Sequence, residues 1–497
     1  MSSDVRVRRV TLLVAALVLP SPALAQQAQS RYEAGDCSFI KAPWARDIQM
    51  ECGWLIAPEV RSRPQGRVVR LPVVVLRATE PDGSPPLVML HGGPGGPGGV
   101  MAFTPAVGRG PMRRTRDVVI YDQRGAGLSE PKLCPQHADS LTQTQLMESD
   151  EQRREFWDSF ARTCVALLRS QGIDPAAYNT TTHGEDLVDL RHALGYARWD
   201  VYGGSYGGRL AQEAMRSDPE GTRSAVLASS ITRGPESHIE ESLVIQRAFE
   251  RIFAACAEKP ACHQAFPTLE ADFYALYDEL EQKPLIVRFE RVGVADSFLL
   301  DGRRMVGRLR QVITRNRRRF PLLVHELRSG DRMRAARLLV GDGVQGYAYD
   351  AQVLNNLVHC YDEYYPGYAA AADSIETTLR PAFRRRTDRS DCLIWLDRFA
   401  DSADRAPVMS DIPTLVLNGH FDDRTPPEHG KLIAATLSHA FVYVFPNEGH
   451  GNRPLGCHES ILRQFLQDPY KQPDASCIDQ LPAWDFITSW AQMPPTN

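Results

Sequence analysis

A single serine stands between two pairs of glycines in the segment WDVYGGSYGGRL, residues 199–210. Residues Gly203 to Gly207 fit the pattern G-x-S-x-G, in which a serine on a sharp strand-to-helix turn holds its hydroxyl above the edge of a sheet. The letters before the glycines are strand-like, and those after them, RLAQEAMR, are helix-like. A glycine-rich structural turn would give the same letters. Assigning Ser205 as a nucleophile therefore requires partner residues elsewhere in the chain.

Candidate partners follow two predicted strands near the end of the chain. TLVLNGHFDDRTPPEHG places Asp422 and Asp423 beyond one strand, and FVYVFPNEGHGN places His450 beyond the next. A histidine there can take the proton of a serine hydroxyl as general base, while a carboxylate fixes its tautomer and stabilises the imidazolium. Each residue alone has an ordinary structural explanation, as a loop histidine or a turn former. Together, in the order serine, acid, histidine, they predict a triad of Ser205, an aspartate and His450.

Such a site also needs backbone N–H groups that face the oxygen becoming negative during acyl transfer. One belongs to the residue after the nucleophile, Tyr206, and the other comes from a loop after an early strand. The loop HGGPGGPGG, residues 91–99, fits that position. We expect the N–H groups of Tyr206 and Gly93 to form this oxyanion hole.

The same loop has a second interpretation as a dinucleotide-binding turn. Its glycines also satisfy G-x-G-x-x-G, and Asp122 ends the next predicted strand, where a ribose-binding acid would be. Pro94 and Pro97, however, remove two amide donors from a phosphate cradle, and no helix is predicted where the pyrophosphate needs one. The loop therefore favours a carbonyl oxygen, and we expect no cofactor.

The composition is that of an ordinary globular chain, with 497 residues, 43% hydrophobic, 24% charged and a formal net charge of −4. It is long enough for one large core with an insertion, and nothing in it suggests nucleic acid as a partner. Arg6, Arg8 and Arg9, the apolar run VTLLVAALVL and Ala-Leu-Ala at 23–25 predict a signal peptide cleaved before Gln26. No later stretch is long enough to span a membrane. We therefore expect an exported protein, periplasmic or secreted, without a membrane anchor after cleavage.

Ten cysteines in an exported chain predict disulfides. They fall into five sequential neighbour pairs, 37–52, 134–164, 256–262, 360–392 and 457–477, although sequence alone does not fix connectivity. A metal site is the alternative, but the chain has no C-x-x-C pair and no histidine pair at zinc spacing with the cysteines. We expect no metal. Cys360 as a free thiol nucleophile is a further alternative, weaker than Ser205.

The elements that must position these residues alternate along the chain. Strand-like runs lie at 68–78, 86–92, 117–122, 199–203, 224–230, 414–419 and 441–446. Helix-like segments separate most of them, as in GEDLVDLRHALG, where leucines recur at helical spacing. This alternation predicts an α/β fold with a mostly parallel sheet wrapped by helices. The long, arginine-rich, mainly helical stretch 232–407 interrupts the pattern, and we interpret it as a cap inserted between core segments 26–231 and 408–497, after the signal peptide 1–25.

Five motifs, HGGPGG, YDQRGAGLS, GGSYGG, GHFDDRTPPEH and GHG, together resemble the secreted proline iminopeptidase and tripeptidyl aminopeptidase group of α/β-hydrolases. ECGWLIAP, CAEKPAC and GCHESILRQFL extend the resemblance over nearly all of the chain after the signal peptide, most weakly across 285–350. In that group the acid follows a glycine by three residues and precedes x-x-T-P. This frame selects Asp422 over Asp423.

The resemblance also implies residues outside the triad. The related enzymes carry a Cys-x-Asp at HCYDEYYPGY, which makes Asp362 and Glu363 candidates for binding the substrate's free ammonium group; the alternative is that both are surface or structural acids. In YDQRG, we expect Asp122 and Arg124 to hold the oxyanion loop rather than to act directly.

What the resemblance implies is a serine aminopeptidase of prolyl or tripeptidyl type, releasing one or a few residues from peptide N-termini through an acyl-enzyme on Ser205. An esterase or amidase for small acyl or secondary-metabolite substrates is the alternative, because fold-level similarity does not choose a substrate. A catalytically silent binding module is a third possibility, but no triad or oxyanion element is missing from the sequence.

Overall fold

The computed structural model describes residues 30–95, 98–135, 150–291, 294–341, 349–385, 389–451 and 456–493. The predicted signal peptide lies outside these ranges. The helices, in chain order, are α1 Gly98–Arg109, α2 Asp150–Ser170, α3 Thr180–Ala193, α4 Tyr206–Ser217, α5 Glu236–Ile239, α6 Glu241–Glu258, α7 Pro260–Ala265, α8 Leu269–Gln282, α9 Gly302–Asn316, α10 Phe320–Ser329, α11 Arg332–Gly341, α12 Tyr349–Glu363, α13 Tyr368–Glu376, α14 Cys392–Trp395, α15 Ser402–Arg405, α16 Pro427–Ala434 and α17 Cys457–Gln467.

The strands are β1 Arg31–Gly35, β2 Glu51–Pro58, β3 Val68–Leu76, β4 Leu87–Leu90, β5 Val118–Tyr121, β6 Trp199–Gly204, β7 Thr222–Ala228, β8 Leu285–Arg291, β9 Val294–Leu300, β10 Thr414–Gly419 and β11 Ala440–Phe445. Nine of them form one sheet in the order β1-β2-β3-β5-β4-β6-β7-β10-β11. The strands from β5 to β11 in this order pair in parallel, whereas β1, β2, β3 and β5 pair antiparallel. The predicted α/β fold with a mostly parallel sheet is confirmed.

The sheet is covered on both faces, which explains its uninterrupted apolar strands. In β5, Val119 and Tyr121 pack in a cluster with residues of α3 and α4, while Val118 and Ile120 pack in a second cluster with residues of α1 and α17. All seven predicted strands are present. Two strands of this sheet, β1 and β2, were not predicted and form its antiparallel edge. The segment of β1, RYEAG, is mostly exposed and carries no apolar run.

The stretch predicted as the cap contains α5 to α15 and most of one apolar cluster, which Phe421, Phe486 and Ile487 from outside the stretch also join. Its centre is aromatic: Phe249, Phe273 and Phe320 are fully buried, and Phe249 contacts both other rings at centroid distances of 5.3 and 5.4 Å. The cap also holds an antiparallel hairpin of β8 and β9, which the mainly helical prediction did not include. The predicted domain boundaries stay predictions.

All five predicted disulfides are present, at the pairs 37–52, 134–164, 256–262, 360–392 and 457–477. Cys360 is therefore not a free thiol. Such bonds are consistent with an oxidising compartment. Within the part of the chain that the structure describes, none of the helices has the length and apolar character needed to cross a membrane.

Candidate active site

The nucleophile candidate lies on a sharp turn between β6 and α4. Ser205 has φ 55° and ψ −120°, a backbone conformation that residues with a side chain rarely adopt. Such a position costs on the order of 1–3 kcal/mol and persists only where the surroundings enforce it. Its N–H donates to the carbonyl oxygen of Ala228 in β7 at 2.9 Å. The turn places Ser205, partly exposed, at the carboxyl edge of the parallel strands.

Close packing explains two of the glycines beside the serine. A methyl group on Gly207 would lie 2.1 Å from the carbonyl oxygen of Leu90 in β4, and one on Gly203 would lie 2.0 Å from the carbonyl oxygen of Gly207. A side chain on Gly207 would therefore push β4 away from the turn, and one on Gly203 would disrupt the turn itself. The same approach brings the loop after β4 onto the serine, since a methyl group on Gly92 would lie 3.6 Å from Ser205 Oγ.

The structure pairs the predicted acid with the predicted histidine. Nδ1 of His450 lies 3.0 Å from both carboxylate oxygens of Asp422. The backbone N–H groups of Arg424 and Thr425 donate to Asp422 Oδ1 at 2.9 and 2.8 Å. Burial alone would raise the pKa of Asp422, but His450 and these amides hold it below its ordinary value. The carboxylate is therefore ionised at neutral pH and can stabilise a protonated His450.

The neighbouring acid, Asp423, has a different set of contacts. Its side chain accepts from Arg310 Nε at 2.8 Å and from the Thr314 hydroxyl at 2.8 Å, both in cap helix α9. Arg310 in turn lies 2.7 Å from Glu241 in α6. Asp423 thus connects the acid loop, residues 420–426 between β10 and α16, to the cap, while Asp422 faces His450.

Both predicted oxyanion donors adjoin the serine turn. Tyr206 begins α4, and the first N–H groups of a helix have no acceptor within it. Gly93, exposed and with φ 120°, follows the Gly92 that packs against Ser205. The loop is held from behind, because Gln123 Nε2 donates to the carbonyl oxygen of His91 at 2.8 Å. Their role as donors to a reacting oxygen stays a prediction.

Asp122 holds the far end of this loop. Its carboxylate is fully buried and accepts from the N–H groups of Val100 and Leu128 at 2.8 and 2.7 Å. Burial raises its pKa to about 6 against these hydrogen bonds. A buried side chain cannot bind a ribose, which counts against the dinucleotide interpretation even though, contrary to expectation, α1 begins directly after the loop at Gly98.

Arg124 has structural contacts, as expected, but the expectation that it holds the oxyanion loop is wrong. Its guanidinium donates to both oxygens of Asp186 in α3, at 2.7 and 2.6 Å, and to the carbonyl oxygen of Glu59 beyond β2 at 2.6 Å. These contacts link α3 to the end of β2. Gln123, between the two charged residues of the motif, holds the oxyanion loop instead.

The two candidate cap acids are buried beside the helix that follows the serine. Glu363 Oε1 lies 2.6 Å from Arg209 Nη1, and Asp362 Oδ2 lies 3.6 Å from the same nitrogen. Asp362 also accepts from the N–H and the hydroxyl of Thr180. Arg209 comes one helical turn after Ser205, so the acids lie near the site, but their charges already face a guanidinium.

Burial and partners move the pKa values of these acids in opposite directions. Burial raises that of Asp362 to about 6 despite Arg209. For Glu363, Arg209 and the two imidazoles of His238 and His359 outweigh burial and hold the pKa well below its ordinary value. Glu363 is thus the permanently charged member of the pair.

Sequence reasoning missed three residues at this site: Thr425, Arg209 and Arg310. Thr425 stands in the x-x-T-P frame that selected Asp422, so its position carried a signal. Arg209 comes two residues after the G-x-S-x-G turn, yet nothing in the local sequence indicates that it pairs with residues 153 and 154 positions later. Arg310 was one of many arginines in the cap, without a pattern of its own.

The α/β-hydrolase class is defined by three features that this structure has. They are a mostly parallel sheet, a serine on a strained strand-to-helix turn, and an acid–histidine pair at the same edge of the sheet. Residues 85–452 match the family model described as "alpha/beta hydrolase fold". Because the match covers well over half of the chain, this protein belongs to that family.

Relatives with named activities are similar over shorter stretches. The proline iminopeptidase of Xylella fastidiosa is 33% identical over 147 residues, which are 29% of this chain and 31% of that protein. The tripeptidyl aminopeptidase of Streptomyces lividans is 28% identical over 219 residues, 42% of this chain and 40% of the relative. Each match therefore spans less than half of the relative's length. The solved proline iminopeptidase of Mycobacterium smegmatis aligns over 86% of this chain and 98% of its own, with 16% identity and a TM-score of 0.39.

Proposed function

We propose that this protein is a serine aminopeptidase that releases one or a few residues from peptide N-termini through an acyl-enzyme on Ser205. The observation that carries the proposal is the Asp422–His450 pair, held at 3.0 Å at the sheet edge where β6 delivers Ser205. The names of the curated relatives support peptides as the substrate class. The five disulfides support export, for which the signal peptide stays a prediction.

In the proposed reaction His450 takes the hydroxyl proton of Ser205 as the oxygen attacks the carbonyl carbon, and Asp422 stabilises the resulting imidazolium. The N–H groups of Tyr206 and Gly93 donate to the tetrahedral oxyanion, each worth about 10²- to 10³-fold in rate. His450 then gives the proton to the leaving amine. Water, activated by the same histidine, hydrolyses the acyl-enzyme and restores Ser205.

Glu363 is the proposed partner of the substrate's ammonium group. It is charged at neutral pH, it lies beside the helix that begins at the serine, and one of its oxygens faces His238, whose side chain is 24% exposed. A cation could reach Glu363 from the partly exposed side of His238. Asp362, enclosed by Thr180 and Arg209, serves as the second acid of this subsite.

One observation favours the alternative, an esterase or amidase for neutral substrates. Arg209 already neutralises one charge of the two acids, which weakens their attraction for an ammonium group. Substrate choice separates the two functions, since an aminopeptidase needs a free N-terminus and an esterase does not.

The nucleophile is tested with a fluorophosphonate probe on the purified protein. We expect labelling of the wild type and of Ser329→Ala, an exposed control, and none of Ser205→Ala. Persistent labelling of Ser205→Ala would place the nucleophile elsewhere.

The substrate class is tested with matched aminoacyl and N-acetyl-aminoacyl chromogenic amides and a small neutral ester. We expect rapid cleavage of the free-amino amides only. In Glu363→Gln, kcat/KM on those substrates should fall about 10²- to 10³-fold, since an unpaired buried charge costs roughly 3–5 kcal/mol, with ester hydrolysis unchanged. Efficient cleavage of the N-acetyl substrates by the wild type would instead support the esterase or amidase.

A further inference from the structure

Two histidines from different cap helices converge on one buried carboxylate. His359 and Glu363 stand one turn apart in α12, and His238 comes from α5. Nδ1 of His359 lies 2.9 Å from Glu363 Oε1, and Nδ1 of His238 lies 2.5 Å from Oε2. The two imidazole centroids are only 4.1 Å apart. One donor atom from each of the three residues lies within 4.8 Å of the others.

This donor set is one that zinc uses. Two imidazole nitrogens and a carboxylate oxygen bind Zn²⁺ with bonds of about 2.0–2.2 Å and leave a fourth position for water. Ligand atoms around such an ion stand roughly 3.4 Å apart. The two contacts to Glu363 must therefore open by less than about 1 Å, and donor atoms at the outer limit of 4.8 Å must close by about 1.4 Å. His238, which is 24% exposed, lies in a helix of only four residues and can supply that movement and an access path.

The two imidazoles present the same ring atom to the carboxylate, since both contacts with Glu363 are made by Nδ1. A ring that binds a cation through Nδ1 carries its proton on Nε2.

The charged groups around the cluster also favour binding of a cation. Arg209 faces it directly, but that guanidinium is shared by two carboxylates, Glu363 at 2.6 Å and Asp362 at 3.6 Å. On the side of His238, Glu241 is balanced by Arg310 and Arg385. Arg209 and the two carboxylates therefore sum to one negative charge when both acids are ionised.

We propose that His238, His359 and Glu363 form a binding site for a divalent transition cation of the zinc type, with water as the fourth ligand. Imidazole nitrogens select such ions over Mg²⁺ and Ca²⁺, which prefer oxygen ligands only. The site is independent of the triad. It bears on the proposed function, because a cation there occupies the carboxylate assigned to the substrate ammonium group.

Calorimetric titration of the full protein, first treated with a chelator and then desalted, with ZnCl₂ tests the site directly. We expect one site in the wild type and in His439→Ala, an exposed control outside the cap. His238→Ala, which removes the half-exposed ligand, should weaken binding at least about 100-fold, because loss of even an outer hydrogen-bond partner of a ligand costs 10- to 100-fold. Thermal melting of each variant checks that it is folded.

Co²⁺ provides a second readout that does not depend on hydrolysis. Bound to two imidazoles and a carboxylate, Co²⁺ gives visible absorption bands, which we expect in the wild type and not in His238→Ala. Equal Zn²⁺ affinity in both proteins, or no Zn²⁺ binding by the wild type, would overturn the proposal while leaving the aminopeptidase proposal untouched.

Discussion

Thr425 contacts both members of the acid–histidine pair. Its hydroxyl lies 2.8 Å from Asp422 Oδ2, 2.8 Å from the carbonyl oxygen of Ser229 and 3.0 Å from His450 Nδ1. A hydroxyl has one proton and can donate to only one of the two oxygens at a time. Its backbone N–H, however, donates to Asp422 in every case. Thr425 therefore fixes the orientation of the carboxylate toward the histidine.

Substituting the two adjacent aspartates should change different properties, kcat for Asp422 and the free energy of unfolding for Asp423. Asp422→Asn leaves His450 without an ionised partner, and we expect kcat to fall by about 10⁴-fold with stability largely kept, as for other triads. Asp423→Asn removes one of the two carboxylates that pair with the mostly buried Arg310, so its main effect should be a lower free energy of unfolding, by about 3 kcal/mol or somewhat more.

Steady-state kinetics and urea unfolding of the two variants measure both quantities. A much larger loss of kcat in Asp423→Asn than in Asp422→Asn would mean that the wrong acid has been assigned to the triad.

At the scale of elements, the contact between β4 and α4 depends on the absence of a side chain. Gly207→Ala would force a methyl group to within 2.1 Å of the Leu90 carbonyl oxygen, and we expect it to yield no folded, active protein. Gly307 is the matched control, because it lies inside α9 with nothing within 4 Å of an added methyl group. Gly307→Ala should stabilise the protein by up to about 1 kcal/mol. The two variants are compared by expression yield and melting temperature. A stable, active Gly207→Ala protein would contradict the packing argument.

The charged contact between α6, α9 and the acid loop should appear in the pH dependence of stability. Burial raises the pKa of Glu241, but Arg310 and Arg385 more than offset this and leave it well below its ordinary value of 4.5. A depressed carboxyl pKa stabilises the fold above the unfolded value, and that stability is lost as the pH falls through the folded value. Glu241→Gln should therefore cost about 1.5–3 kcal/mol at pH 7 and progressively less below about pH 4.5.

Urea unfolding at several pH values measures this difference. Glu220→Gln, at an exposed position, serves as the control and should match the wild type throughout. A Glu241→Gln difference that is constant from pH 7 to pH 3 would contradict the assigned charge pairing.

The sequence predicted those elements whose signal is local. The parallel strands are uninterrupted apolar runs, and Asp422 and His450 follow such runs directly, so their placement could be predicted before the structure was known. Arg124 was assigned to the wrong partner because its contacts, with Asp186 and the end of β2, join segments 62 and 65 residues away. The pairing of Arg209 with Glu363 likewise depends on how the cap folds back over α4, which no local pattern encodes.

At the scale of the whole molecule, the segment after α17 joins the core to the cap. It follows the Cys457–Cys477 disulfide, and the carbonyl oxygen of Pro482 accepts from Asn447 in the histidine loop at 3.1 Å. Further on, Phe486 and Ile487 are buried in the apolar cluster of the cap, and the N–H of Ile487 donates to the carbonyl oxygen of Arg318 at 2.8 Å. One stretch of chain therefore contacts both the cap and the loop that carries His450.

Trp484 is the centre of this connection. Its ring lies 5.0 Å from the guanidinium of Arg317 and 4.8 Å from the ammonium of Lys259, both in the cap, and it contacts the ring of Phe421, edge to face, at 5.6 Å. Phe421 immediately precedes Asp422. We expect Trp484→Ala to lower the free energy of unfolding by about 2 kcal/mol, from two cation–π contacts of about 0.5–1 kcal/mol each and one aromatic pair of about 0.5–1.5 kcal/mol.

The same substitution should also lower kcat, by about tenfold, because the residue next to the acid loses its packing partner and Asp422 is held less firmly. Trp490→Ala is the matched control. That ring stacks on Arg334 of the cap at 4.1 Å, so its loss removes a contact of the same kind from the same segment at a distance from the acid loop. Melting temperature and kcat of the two variants, measured side by side, separate general loosening of the cap from misplacement of the acid. Equal losses of kcat in both would show that the segment acts only through overall stability, whereas a loss confined to Trp484→Ala supports a link between the cap and the triad.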